Sequence, residues 1–100
     1  MDSGLLQIID EQLGKLQIPY HLLDAQGNIL LPQAQAGTVL LHPPAFTAPF
    51  AKCDTLLLFR IEGRQRLYLA LHSLQKSTLD IGQMAAAYIG VQLENDARAR

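Results

Sequence analysis

The side chains best suited to chemistry are few and widely separated. His21, His42, His72 and Cys53 are the soft metal-ligand types in this chain. Metal sites built from such residues usually show local pairs, two or three positions apart, so that one turn or strand supplies half the ligands. No two of these four stand at such a spacing. The expectation is therefore histidines making ordinary hydrogen bonds in strands and loops, and no metal. Cys53 follows Lys52, whose ammonium group would lower a thiol pKa if both were exposed. A Cys–His nucleophile also needs a third, orienting group, and none is evident. The expected state is a loop thiol half-buried beside Phe50. No glycine-rich phosphate loop, paired-carboxylate site or nucleophile elbow is found. No catalytic residue is assigned, and the chain reads as non-enzymatic.

Binding chemistry is better represented. Arg60, Arg66, Tyr68 and His72 offer hydrogen-bond donors beside an apolar lining, which suits an anionic small molecule. Phe59, Phe46 and Phe50 would supply aromatic walls. The competing reading makes the arginines solvent-facing strand ends and Tyr68 a core residue with its hydroxyl at the surface. Gly82, Ala86 and Gly90 recur at i+4 steps. They mark either a helix–helix dimer seam or the close seating of a helix on the protein's own core.

The elements that must position these groups centre on an apolar hairpin, Thr55 to His72. A two-residue turn at Gly63-Arg64 would place Leu56, Leu58, Leu67, Leu69 and Leu71 on one face, with Arg60 near its edge. Leu57, Phe59, Ile61, Arg66, Tyr68, Ala70 and His72 would share the other. The leucine face reads as a floor for helices and the mixed face as the lining of a pocket, covered by the loop that carries Phe46 and Phe50.

Before the hairpin, residues 3–16 read as a helix. Ser3 is its cap, and Leu5, Leu6, Ile9, Leu13 and Leu16 form one stripe. Pro19 pushes Ile18 towards an extended conformation and closes it. Tyr20–Leu23 and Ile29–Leu31 are short strands joined by Asp24-Ala25-Gln26-Gly27-Asn28, which has Asp and Gly at the first and fourth positions of a turn. Thr38–His42 is expected as a third strand. Pro43, Pro44 and Pro49 exclude helix and inner strand beyond it, so Phe46 and Phe50 belong to an ordered loop that lays two rings on the core. After the hairpin, Ser77-Thr-Leu-Asp80 fits a capping pattern. It opens a last helix with a buried stripe of Ile81, Met84, Ala85, Tyr88 and Ile89.

The totals narrow the function classes. One hundred residues make one domain, spanning 1–100, with one core. A net charge of −1 provides no footprint for nucleic acid. Only 17% of residues are charged against 49% hydrophobic, which points to apolar surface covered by a partner, a second copy or the rest of a longer protein. No apolar run approaches the ~20 residues needed to cross a bilayer. A single cysteine forms no internal disulfide, and Asp2 and Ser3 lead into an amphipathic pattern, so the expected location is cytoplasmic.

The stretch Ile18-Pro19-Tyr20-His21-Leu22-Leu23-Asp24-Ala25-Gln26-Gly27-Asn28-Ile29-Leu30 resembles the first hairpin of PAS/GAF-like sensor domains. The nearest likeness is to the N-terminal domain of PucR-like and sugar-diacid-type bacterial transcriptional regulators. The resemblance implies an α+β fold, with one antiparallel sheet of about five strands and both terminal helices on one face. It further implies a small-molecule pocket or its remnant on the other face, homodimerisation through the helices, and signalling to a downstream output domain. Profilin-like domains of the roadblock type share the helix–hairpin start. They give the alternative, a protein-interaction scaffold without ligand.

Overall fold

A computed structural model describes residues 3–63 and 66–98. The Ser3 side chain, expected to cap the first helix, and Arg64 of the expected two-residue turn lie outside what is described. Helix α1 (Ser3–Gly14) is followed by strands β1 (Tyr20–Leu23) and β2 (Ile29–Leu31) and a 3-10 turn at Gln33–Gln35. Strands β3 (Phe50–Cys53), β4 (Leu56–Ile61) and β5 (Leu67–Leu71) and helix α2 (Lys76–Arg98) complete the chain. The strands form one antiparallel sheet in the order β2-β1-β5-β4-β3. Both helices pack on the same face, so the α+β architecture is as expected.

Register is where the sequence reading fails. Leu57 pairs with Leu71, Phe59 with Leu69 and Ile61 with Leu67, leaving five residues (62–66) between the paired ends. The expected turn would have paired each β4 residue with one position earlier on β5. A slip of one residue sends every β4 side chain to the opposite face. Leu57, Phe59 and Ile61 therefore join Leu67, Leu69 and Leu71 under the helices, while Leu58 shares the other face with Tyr68 and Ala70. Strand β4 is apolar on both faces, so its alternation carries little information about which face is inner.

Packing against α2 settles the register. A Cβ on Gly82 would lie 2.1 Å from the Phe59 ring, closer than any real contact. The missing side chain is the notch that lets a buried phenylalanine stand beneath the helix. Thr78, Gly82, Ala86 and Ile89 consequently form the buried line of α2. Met84 is 74% exposed and Tyr88 37%, so the expected stripe through Met84 and Tyr88 is wrong. Small residues sit inside because a helix this close to the sheet leaves them no room to be large. Ser77 is not the cap either. The helix begins one residue earlier, and the buried Thr78 hydroxyl instead hydrogen-bonds the Ser73 hydroxyl at 2.8 Å.

The third strand is also displaced. Thr38–His42 makes only a single bridge, Asn28 to Val39. Ile29 donates to the Thr38 carbonyl, and Gly37 donates to that of Ile29. The backbone of 37–39 thus lies along the outer edge of β2 before the prolines turn it across the sheet. The true third strand, β3, starts directly after Pro49 and takes the opposite edge, where proline is tolerated.

Two polar fixings hold the first third of the chain. The Tyr20 hydroxyl donates to the Asp10 carboxylate, tying the end of α1 to β1. Burial, with that hydrogen bond and the Asp10 charge, pushes the phenol up to about 12 from 10.0. The raised value means that the stability it contributes is complete below pH 10.0 and is lost as pH rises towards about 12. In the β1–β2 turn, Asp24 Oδ1 accepts the Gln26 and Asn28 backbone N–H groups, both at 2.9 Å, and Oδ2 accepts the Asn28 amide. Gly27 takes φ +87, and its missing side chain admits the Leu41 carbonyl, which would stand 1.6 Å from a Cβ.

Two outcomes are expected. Gly82→Ala gains about 1 kcal/mol of helix propensity but should still lower stability on balance. Overpacking against the Phe59 ring costs about 1–3 kcal/mol, and Phe59→Leu should recover part of the loss in a double-mutant cycle of denaturation midpoints. Desolvation raises the Asp24 pKa, but the hydrogen bonds from Asn28, Gln26 and Gly27 outweigh it and hold the group low. Asp24→Ala should then cost about 2 kcal/mol at neutral pH. That difference should shrink in acid denaturation curves as pH falls through the depressed Asp24 pKa, where the wild-type carboxylate is itself protonated.

Candidate functional site

The residues expected to line one pocket are divided by the sheet. Phe59 is 1% exposed on the helix side, and Phe50, its directly opposed neighbour on β3, packs against it with ring centroids 6.1 Å apart. Tyr68 and Phe46 meet on the other side at 5.8 Å. Arg66 is exposed just before β5. The loop therefore sends its two rings to opposite faces, and the six residues cannot enclose a single cavity. The cause is the register: with β4 turned over, Phe59 exchanged faces and Phe50 went with it.

The face opposite the helices is closed. Leu23, Ile29, Leu58, Tyr68 and Ala70 form a second buried cluster, with Leu40, Leu41, Phe46 and Cys53 packed against it. Segment 38–46 lies where a ligand pocket was expected. Leu40 N–H donates to the Gly27 carbonyl, so this cover is pinned to the hairpin turn. Cys53 is half-buried on strand β3 rather than in a loop.

At one end of this face the structure brings together three side chains that the sequence keeps apart. His21 on β1 and His72 just beyond β5 stand with His21 Nδ1 and His72 Nε2 2.7 Å apart. His21 Nε2 lies 2.8 Å from Gln35 Oε1 in the 3-10 turn. The pairing of Tyr20 with Leu71 and of His21 with Ala70 sets the two imidazoles diagonally across neighbouring strands. His21 is 9% exposed, and burial together with the neighbouring His21 charge lowers the His72 pKa. Among the described residues, no group of three or more His, Cys, Asp or Glu side chains converges as a metal site would.

Two further surfaces are available to partners. An open groove of about 800 Å³ runs between Thr47–Pro49, Arg60 and the outer half of α2, where Gly90, Val91, Glu94 and Arg98 line it. Arg60 is turned along the groove wall, donating to the Thr47 carbonyl at 3.3 Å, while Arg98 pairs with Glu94. The second surface is the exposed side of α2, with Met84, Tyr88 and Val91, the last 56% exposed. The expected dimer residues do not reach it. Gly82 and Ala86 are buried against the protein's own sheet, and a Cβ on Gly90 would lie 3.0 Å from the Glu62 carbonyl oxygen.

No protein-family model, curated protein or solved structure matches the chain.

The cover is expected to be structural. Phe46→Ala should cost about 2 kcal/mol, below the 3–5 typical of a fully enclosed phenylalanine because this ring is only half-buried. It should also raise binding of a hydrophobic fluorescent dye as the Tyr68 face opens, and a dye signal equal to wild type would contradict this account of the cover.

Proposed function

We propose that this chain is a non-enzymatic regulatory domain of the PAS/GAF-like sensor kind, acting as a homodimer and passing its state to an output partner through α2. The observation that carries the reading is the outer side of α2. Met84, Tyr88 and Val91 stand exposed at successive steps of four and three, with Ile81 three residues before them. That is the spacing of a helix seam meeting another helix. A notch of about 290 Å³ between α1 and α2, lined by Leu13, Leu16, Ile81 and Tyr88 among others, lies beside the seam and can receive a partner's side chain. Met84 and Leu16 line the same notch, so the apolar area continues from α2 towards the end of α1. Apolar surface gathered on one side of a small domain is characteristic of contact surfaces. The five-stranded sheet with both terminal helices on one face agrees with what the resemblance implies.

The second reading, a profilin-like scaffold of the roadblock type without ligand, draws on one specific observation. The face that would hold a small molecule is filled by the chain's own Leu40, Leu41 and Phe46. Native mass spectrometry of the purified protein separates the two, because a retained small molecule favours the sensor and a bare protein the scaffold.

The dimer is tested by light scattering on a sizing column. Wild type should elute at twice its 11.0 kDa mass, and Met84→Glu and Val91→Glu should elute as monomers with the wild-type far-ultraviolet spectrum. A wild-type monomer at high concentration, or a dimer that survives both substitutions, would overturn the proposal.

A further inference from the structure

The His21–His72–Gln35 chain has a defined proton order. Gln35 Oε1 can only accept, so His21 Nε2 carries the hydrogen of their 2.8 Å contact. A neutral His21 then has its lone pair on Nδ1, and His72 Nε2–H must be the donor across the 2.7 Å contact. His72 Nδ1 is left with the free lone pair. A first proton entering there leaves every bond in place, because an imidazolium Nε2–H still donates to His21 Nδ1. A second proton has no place. It would put two N–H groups and two positive charges head to head within one hydrogen-bond length.

We propose that this pair is a proton-operated latch on the segment covering the Tyr68 face. Folded, the pair has room for at most one added proton, because a second would set two N–H groups head to head, and separating the rings removes that conflict. Acid therefore favours the open form. Opening takes His21 away from Gln35 and frees the 3-10 turn, which leads directly into the cover. Among the described residues, the backbone bonds that then still hold the cover to the β1–β2 hairpin are those of Gly37 to Ile29, Ile29 to Thr38 and Leu40 to Gly27, besides its apolar contacts.

The described surroundings offer no counter-charge for an imidazolium pair. The nearby elements carry Tyr20 on β1 and Asp24 in the turn after it, Tyr68 on β5, Lys52 and Cys53 on β3 with Asp54 directly after them, Lys76 and Asp80 at the start of α2, and His42 in the cover. Tyr20 is engaged with Asp10 and Asp24 with its own turn. Among the described residues, no carboxylate stands at ion-pair distance from either ring. The lowered His72 pKa agrees in sign. A base whose folded value is depressed contributes stability above its ordinary 6.5, and that stability is lost as pH falls through the folded value.

The test is amide hydrogen exchange on the wild-type protein between pH 7.5 and 5.0, corrected for the intrinsic rate. The Gly37 and Leu40 amides should open more as pH falls, by up to about tenfold per pH unit for one excess proton, while the Leu58 and Leu69 amides in the sheet hold. His72→Gln keeps a donor for His21 Nδ1 but cannot titrate, and it should flatten the response. Nitrogen-15 NMR of the wild-type imidazoles provides a readout that needs no variant, and should show one proton, not two, entering the folded pair. A pH-independent opening of Gly37 and Leu40, an unchanged slope in His72→Gln, or two protons on the folded pair would each overturn the latch.

Discussion

The close approach of α2 to the sheet is the constraint from which most of this structure follows. One glycine, Gly82, makes room for one ring, Phe59, and both are buried. Once that ring lies beneath the helix, β4 can present only Leu57, Phe59 and Ile61 inward, and the pairing with β5 is fixed. Phe50, opposite Phe59, must then also face the helices, which leaves Phe46 as the loop's one ring on the far side, against Tyr68 and beside Leu40 and Leu41. The outer face of α2 is set by the same contact. With Gly82, Ala86 and Ile89 turned inward, helical geometry carries Met84, Tyr88 and Val91 outward.

The two faces of the sheet are closed by different means. On one, helices bring rows of aliphatic side chains and satisfy their own backbone groups. On the other, a segment rich in proline lies across the strands, held by a few backbone hydrogen bonds, the packing of Leu40, Leu41 and Phe46, and the link from Gln35 to His21. Coverings of the second kind open at lower free energy than helices packed on a core. The division gives a small domain a firm half and a yielding half, with the histidines at the border.

Much of this was legible in the residues. The stripe of α1 and the Asp24–Gly27 turn follow from spacing and from local hydrogen bonds that involve only near neighbours. Register was not legible, because Leu56, Leu57, Leu58 and Phe59 leave no polar position to mark the outer face. The strand at Phe50–Cys53 was hidden by Pro49, which marks an edge here rather than a loop. The Gly82–Ala86 repeat is plain in the sequence, but spacing alone cannot tell a notch for the protein's own phenylalanine from one for a neighbour's helix. His21 and His72, 51 residues apart, meet only because β1 pairs with β5, a contact without local signature. Their strand positions follow from the local pattern, whereas the pairing of the first strand with the last has no counterpart in it.

The unequal edges of the sheet carry a last consequence. The backbone of residues 37 and 38 already occupies the outer side of β2 at Ile29, while β3 borders the sheet with the exposed Lys52 at its rim. Growth of a ribbon by strand addition needs a vacant border at both ends, so that each newcomer offers a fresh template. A border already hydrogen-bonded by the chain's own backbone offers no template there. The bridge at Val39 thus leaves the two borders of the sheet unequal, with β3 the one open to strand addition among the described residues.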